Sequence, residues 1–190
     1  EEDFKKKFKL MCYLTPLAIG IFANSAVYEN RASGFLSYRA KVWQNTARAG
    51  LPKLFLEDMD FEKYADFVIK FPLLFIEKNN SYHYGSDQTF KDFMEGNLQS
   101  SKSIPTDKDL GLHLSTIFTE VRLKKYLEVR SIDECEWDCH CAGPAFYTGL
   151  IYGNLEESLD AIKKWDQSEI LNAYYESVSY THLTLPTTIA

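Results

Sequence analysis

A chain of 190 residues that is 45% hydrophobic and 15% aromatic has ample material for a core, which excludes a disordered protein. A net charge of -6 and an isoelectric point near 5.3 argue against a nucleic-acid binder, whose phosphate contacts call for a basic surface. The longest apolar candidate, Leu14 to Val27, is interrupted by Thr15, Pro16, Asn24 and Ser25 and falls short of the roughly 20 apolar residues a membrane helix requires, so no membrane partner is expected.

From Phe4 to Phe22 apolar residues recur every three or four positions, predicting a helix that kinks or restarts at Pro16, with Lys5 to Lys7 on its wet side. It gives out at Ala23-Asn24-Ser25-Ala26, and Tyr28 to Gly34 reads as a polar loop. Phe35 to Trp43 is rich in aromatic and β-branched types and predicts a strand with Ser37, Arg39 and Lys41 on one face. After a loop with Gly50 and Pro52, the stripe Phe61, Tyr64, Ala65 and Val68 predicts a helix to Phe71. Leu73 to Glu77 and Tyr82 to Tyr84 form a predicted hairpin around Asn79-Asn80, followed by a short helix, Asp87 to Met94, closed by Gly96. Gln99 to Pro105 reads as an exposed loop. Thr106 caps a predicted helix running to about Phe118, on whose apolar face His113 reads as a satisfied interior histidine. A strand, Tyr126 to Asp133, comes next. Gly143-Pro144 interrupts the following apolar run, and Asn154 caps a last amphipathic helix with Leu155, Leu159, Ile162 and Trp165. Strands separated by helices of varied length, one pair joined as a hairpin, predict an α+β fold with an antiparallel or mixed sheet.

Four cysteines, Cys12, Cys135, Cys139 and Cys141, are too few and too unevenly placed for a secreted disulfide scaffold, which predicts a reducing cytoplasm with buried or idle thiols. Cys135-x3-Cys139-His140-Cys141 carries zinc donor types, but ligands almost in succession do not spread to tetrahedral corners, and no second half-site follows. Glu1-Glu2-Asp3 has the wrong charge for the start of a signal peptide, and with no initiating Met the reading frame is expected to be truncated. Helix-like material runs to about Glu176. Val178 to Thr187 then resembles one reading frame of the transposon-end adapter used in preparing sequencing libraries, so residues 178–190, His182 included, are expected to be a non-native tail on a natural segment 1–177.

The strand Tyr126 to Asp133 carries the chemistry. Alternation puts Glu128 and Arg130 on one face while Leu127, Val129 and Ile132 lean to the packed side. By themselves the two read first as a solvated ion pair. A carboxylate that suits Mg²⁺ beside a guanidinium that suits phosphate also fits a metal-bound nucleoside triphosphate. Neither GxGxxG nor GxxxxGK[ST] occurs, so any nucleotide would be held by side chains and metal.

Four segments together resemble the glutamate-cysteine ligases of the plant and proteobacterial type: Phe22 to Ser25, Gly34 to Arg39 with Trp43, Thr119 to Arg130, and Trp137 with Cys141 to Phe146. The resemblance covers Asp3 to about Trp165. It implies an incomplete glutamine-synthetase-like catalytic domain, with a curved, mainly antiparallel sheet and flanking helices, on which ATP, Mg²⁺ and the small-molecule substrates L-glutamate and L-cysteine meet. Catalysis would fall to Arg130 and Arg39. The resemblance makes Glu128 a Mg²⁺ ligand and Arg130, with Lys124, the ATP phosphate ligands; Arg39, beside Trp43, is the candidate for bidentate recognition of the glutamate carboxylate. Asn24, Ser25 and Tyr38 are the further substrate-binding candidates, with local capping as the alternative for the first two. Glu120 and Arg122 lie in the same motif, where they read equally as anchors of the chain. The cysteine pair that plant members carry in the stretch matching Tyr82 to Pro105 is absent here, so its redox switch is not expected, and the family's other acidic metal ligands are expected upstream of this chain. Another carboxylate-amine ligase of the same superfamily and a non-catalytic, zinc-stabilised binding module are the alternatives.

Overall fold

The computed structural model describes residues 1–85, 87–99 and 103–178. Two compact units are present, one of residues 60–118 and the other of the flanking segments 1–59 and 119 onward.

The flanking segments build their core on the first helix, Glu2–Ile21. Its three-to-four spacing buries Phe4, Phe8, Met11, Cys12 and Ile19 against the helices Leu155–Ile162 and Gln167–Glu176 and the 3-10 turn Lys53–Leu56. Phe8 meets Phe55 edge-on with ring centres 5.0 Å apart. The helix runs unbroken through Pro16; one turn earlier the Met11 carbonyl accepts from the Thr15 hydroxyl at 3.0 Å. The predicted end before Asn24 stands, and the expected polar loop contains a small hairpin, Val27–Tyr28 with Arg31–Ala32, turned by Glu29 and Asn30 at positive φ.

The predicted strand from Phe35 to Trp43 is instead a helix, Tyr38–Gln44. Its aromatic and β-branched content points to a strand, but Ser37 stops the extended chain: its hydroxyl accepts from the Ala40 N–H at 3.1 Å, an N-cap that outweighs a weak residue preference. Arg39 and Trp43, roughly 13 Å apart on a strand, become i,i+4 neighbours about 6 Å apart on a helix.

The next strand shortens. Val121–Leu123 and Leu127–Val129 pair antiparallel, with Arg122 opposite Glu128, and the strand ends at Val129, short of the expected Asp133. Gly143 and Pro144 fall inside the helix Ala142–Thr148 and do not interrupt it; Pro144 is its third residue, where an N–H has no partner within the helix. A Cβ at Gly143 would sit 2.7 Å from Ile132 Cδ1, so a larger residue there would have to move the tip of that side chain. The helix predicted after Asn154 spans Leu155–Ile162, which leaves Trp165 outside it. Of the segment read as a foreign tail only Val178 is described; it is buried, and its carbonyl accepts from the Leu36 N–H at 3.1 Å. The rest, His182 included, lies outside the described residues.

In the unit of residues 60–118 the expected elements form, but the helix expected from Asp87 starts at Phe90, and the one expected to reach about Phe118 ends at Ser115. Asp60 caps the helix Phe61–Lys70, and the hairpin Phe75–Lys78 with Ser81–Tyr84 turns at Asn79 and Asn80. Thr89 and Thr106 each form a capping box with an aspartate three residues on, opening the helices Phe90–Met94 and Asp107–Ser115. Leu73, Ile76, Phe90, Phe93 and Leu98 make its core. His113 is the interior histidine expected, with Nε2 2.8 Å from the Val68 carbonyl and its ring stacked on Phe90. Helices and small antiparallel sheets together are an α+β arrangement.

Candidate functional site

Two arginines from distant parts of the sequence meet where the helix Tyr38–Gln44 faces the chain leaving the hairpin. Arg39 Nη2 donates to the Arg130 carbonyl at 2.7 Å. The Arg130 guanidinium lies 5.2 Å from the centre of the Trp43 ring, a cation–π contact. Three of the residues singled out in the sequence, Arg39, Trp43 and Arg130, are thus brought together. Burial, and next the Arg122 guanidinium, hold Arg130 below the usual arginine value; Arg39 adds to this while Glu128 and Glu120 oppose it. A half-buried cation among other cations is a site that gains from an anion.

Arg39 also lines a cavity of about 620 Å³. Leu127, Val129 and Ile132, the residues assigned to the packed side of the strand, form part of its apolar wall, and Asp133 adds a carboxylate. The volume suits a small ligand.

Asn24 and Ser25 are joined to Asp133. The buried Asp133 carboxylate accepts from the Asn24 N–H at 2.9 Å, the Ser25 hydroxyl at 2.6 Å and the Ser37 hydroxyl at 2.8 Å, and Arg39 Nη1 stands 3.9 Å away. The Ser25 hydroxyl also accepts from the Arg39 N–H at 3.0 Å. This knot fixes the start of the helix that carries Arg39. Tyr38 packs against Tyr28 and Phe35 with tilted rings, centres 4.7 and 6.4 Å away.

Glu128 is committed to cations. Its Oε2 accepts from Arg122 Nε at 2.6 Å, with Nη2 at 2.5 Å, and Oε1 lies 3.6 Å from Lys124 Nζ. A magnesium ion at Glu128 would displace a nearly buried guanidinium and sit beside an ammonium. Among the described residues no group of three or more His, Cys, Asp or Glu is placed to hold a metal. Among the described residues no set fits Mg²⁺ by itself, and Glu128 is held in an ion pair with Arg122 set by the cross-strand register.

Glu120 does more than anchor the connection. It is buried and accepts from the Tyr174 hydroxyl at 3.0 Å. Burial raises its carboxyl above the usual range, while the Tyr174 hydrogen bond, Arg39 and Arg130 pull it back. Asp133, Ser37 and Tyr174 carried no assigned role in the sequence. Only the Ser37 cap had a local signal; the partners of Asp133 lie 96 to 109 residues away.

Two of the four candidate zinc donors are spent on each other. Cys135 and Cys139 form a disulfide, brought to a Cα separation of 6.0 Å by the 3-10 turn Trp137–Cys139, so neither is the idle thiol expected. Cys141 is exposed and free, and Cys12 is buried, which pushes its thiol well up.

The model of glutamate-cysteine ligase family 2 matches residues 1–180. Similar proteins include the chloroplastic glutamate–cysteine ligase B of Oryza sativa subsp. japonica, 43% identical over 166 residues that are 85% of this chain and 33% of that protein. The chloroplastic glutamate–cysteine ligases of Solanum lycopersicum and Arabidopsis thaliana are each 39% identical over 175 residues, 89% of this chain and 34% of theirs. The chain spans about a third of the length of the curated relatives it matches. These relatives are chloroplastic, which overturns the cytoplasmic expectation. A cysteine count does not distinguish one compartment from another.

Proposed function

We propose, from the premise that this chain belongs to glutamate-cysteine ligase family 2, that the full-length protein joins L-glutamate to L-cysteine at the expense of ATP, in a plastid, as the first step of glutathione synthesis. The observation that carries this for the chain itself is the Arg39–Arg130 contact: Arg39, which lines the cavity, donates to the Arg130 carbonyl, and the Arg130 guanidinium lies over Trp43, in a protein of net charge -6. Ligation passes two anions through such a place. The glutamate γ-carboxylate attacks the γ-phosphorus of ATP and ADP leaves; the cysteine amine then attacks the acyl phosphate carbon, and inorganic phosphate leaves as the amine loses its proton.

Arg130 is assigned to the transferring phosphoryl group, where a preorganised positive charge lowers the barrier. Arg39, its helix fixed by Asp133, is assigned to a substrate carboxylate, with Trp43 keeping Arg130 in place and Asn24, Ser25 and Tyr38 forming the frame. Lys124, in the turn of the hairpin, adds positive charge for ATP. Ligases of this kind use a divalent metal to draw charge from the triphosphate; no step is assigned to it through Glu128, and its ligands are sought in the rest of the polypeptide. A glutamine-synthetase-like sheet is the proposed setting, to which this chain would supply the hairpin Val121–Leu123 with Leu127–Val129.

The test uses the full-length gene product. ADP release that requires both L-glutamate and L-cysteine supports the reading, and release with glutamate and a different amine, but not cysteine, overturns the substrate. Arg130→Ala is expected to lower kcat by about a hundredfold or more; near-normal turnover overturns its role.

A further inference from the structure

Arg39 and Arg130 are held by a closed ring of hydrogen bonds that reaches far from both. Arg39 Nη2 donates to the Arg130 carbonyl, and the Arg130 N–H donates to the Glu120 carbonyl at 2.9 Å. The Glu120 carboxyl accepts from the Tyr174 hydroxyl. Gln44 Nε2 then donates to the Tyr174 carbonyl at 2.6 Å, and Gln44 ends the helix on which Arg39 sits. Three separate segments are thereby tied to one another: the helix Tyr38–Gln44, the chain on either side of the hairpin, and the helix Gln167–Glu176.

The inner part of the ring is dry. Glu120 is 4% exposed and Tyr174 1% exposed, so neither polar group can exchange its partner for water. A buried hydrogen bond is costly to leave unmade, which makes each link a constraint on the next. The Glu120 carboxyl also faces the charges of Arg39, Arg130 and Asp133.

We infer that Tyr174 and Gln44 are positioning residues for the proposed ligase site: with Glu120 they set the separation of Arg39 and Arg130, although neither touches a substrate. The inference rests on the proposed reading of the two arginines. It extends the site to the helix Gln167–Glu176, which carries no group for the chemistry itself.

A ring gives way when any one link is cut. In the full-length protein, Tyr174→Phe and Gln44→Met should each lower kcat/KM for ATP and glutamate by on the order of tenfold, because a displacement of about 1 Å suffices for that. The double variant should be no worse than the poorer single one, since coupled residues do not add. Thermal unfolding followed in parallel separates this from packing: a role in stability alone lowers Tm and leaves kcat/KM unchanged. Unchanged kcat/KM in both single variants overturns the inference, as do losses that multiply in the double variant. If Tyr174→Phe does not fold, Gln44→Met alone decides it. Arg130→Ala separates the two ideas: full activity there removes the underlying reading, whereas an inactive Arg130→Ala beside wild-type-like Tyr174→Phe and Gln44→Met removes only this one.

Discussion

The Ser25 hydroxyl donates to Asp133 at 2.6 Å across 108 residues of sequence, and Asp133 thereby ties the end of the first helix to the start of the helix that carries Arg39. Three donors converge on this one buried carboxylate.

Asp133→Ala should therefore destabilise the protein by about 3 kcal/mol, because it leaves buried donors without an acceptor. The midpoint of chemical unfolding measures this. A loss under about 0.5 kcal/mol, the size of an ordinary surface substitution, would mean that the knot does not hold the segment.

Glu128→Gln separates the ion pair from a metal role. Removing the carboxylate leaves Arg122, nearly buried, without its close counter-charge, and stability should fall by about 1 to 3 kcal/mol whether or not magnesium is present. A variant as stable as wild type, with magnesium dependence shifted to higher concentration, would restore Glu128 as a metal ligand.

Arg39→Lys should not rescue the function of Arg39. Lysine keeps the charge but cannot both donate to the Arg130 carbonyl and present a planar fork to a carboxylate. The expected result is a rise in KM for glutamate of about tenfold or more, with ATP less affected. A KM unchanged for glutamate places the carboxylate elsewhere.

The buried Glu120 carboxyl gives a pH signature of fixed sign. Burial raises its folded-state value above the ordinary 4.5, so the folded state binds the proton more tightly than the unfolded chain. Its contribution is fully present below 4.5 and is lost as pH rises through the folded value. Wild type should therefore lose stability relative to Glu120→Gln as pH is raised from about 4 to about 7 in unfolding titrations. A flat difference would mean that Arg39 and Arg130 cancel the cost of burial.

Local signals decided how much of this was legible. The cap Thr106, the Asn79-Asn80 turn and the three-to-four spacing of the first helix act within a few residues, and the structure follows them. Where composition and a cap disagreed, at Phe35 to Trp43, composition predicted a strand and the Ser37 cap made a helix. The disulfide was missed because a spacing of four names no partner until the 3-10 turn folds it.

Sequence by itself determined the family and the identity of the charged residues, since matching segments and side-chain chemistry require no coordinates. It also determined that Arg39 and Trp43 fall on one side, because a spacing of four does so on a helix and on a strand alike. Only the tertiary structure decided which charges are spent on one another. Glu128 belongs to Arg122, Asp133 to two serines and an amide, and Glu120 to Tyr174, while Arg39, at a cavity edge, is joined to the Arg130 carbonyl. Such pairings depend on distances of about 3 Å between groups up to 109 residues apart, and only the packing of the intervening chain sets those distances.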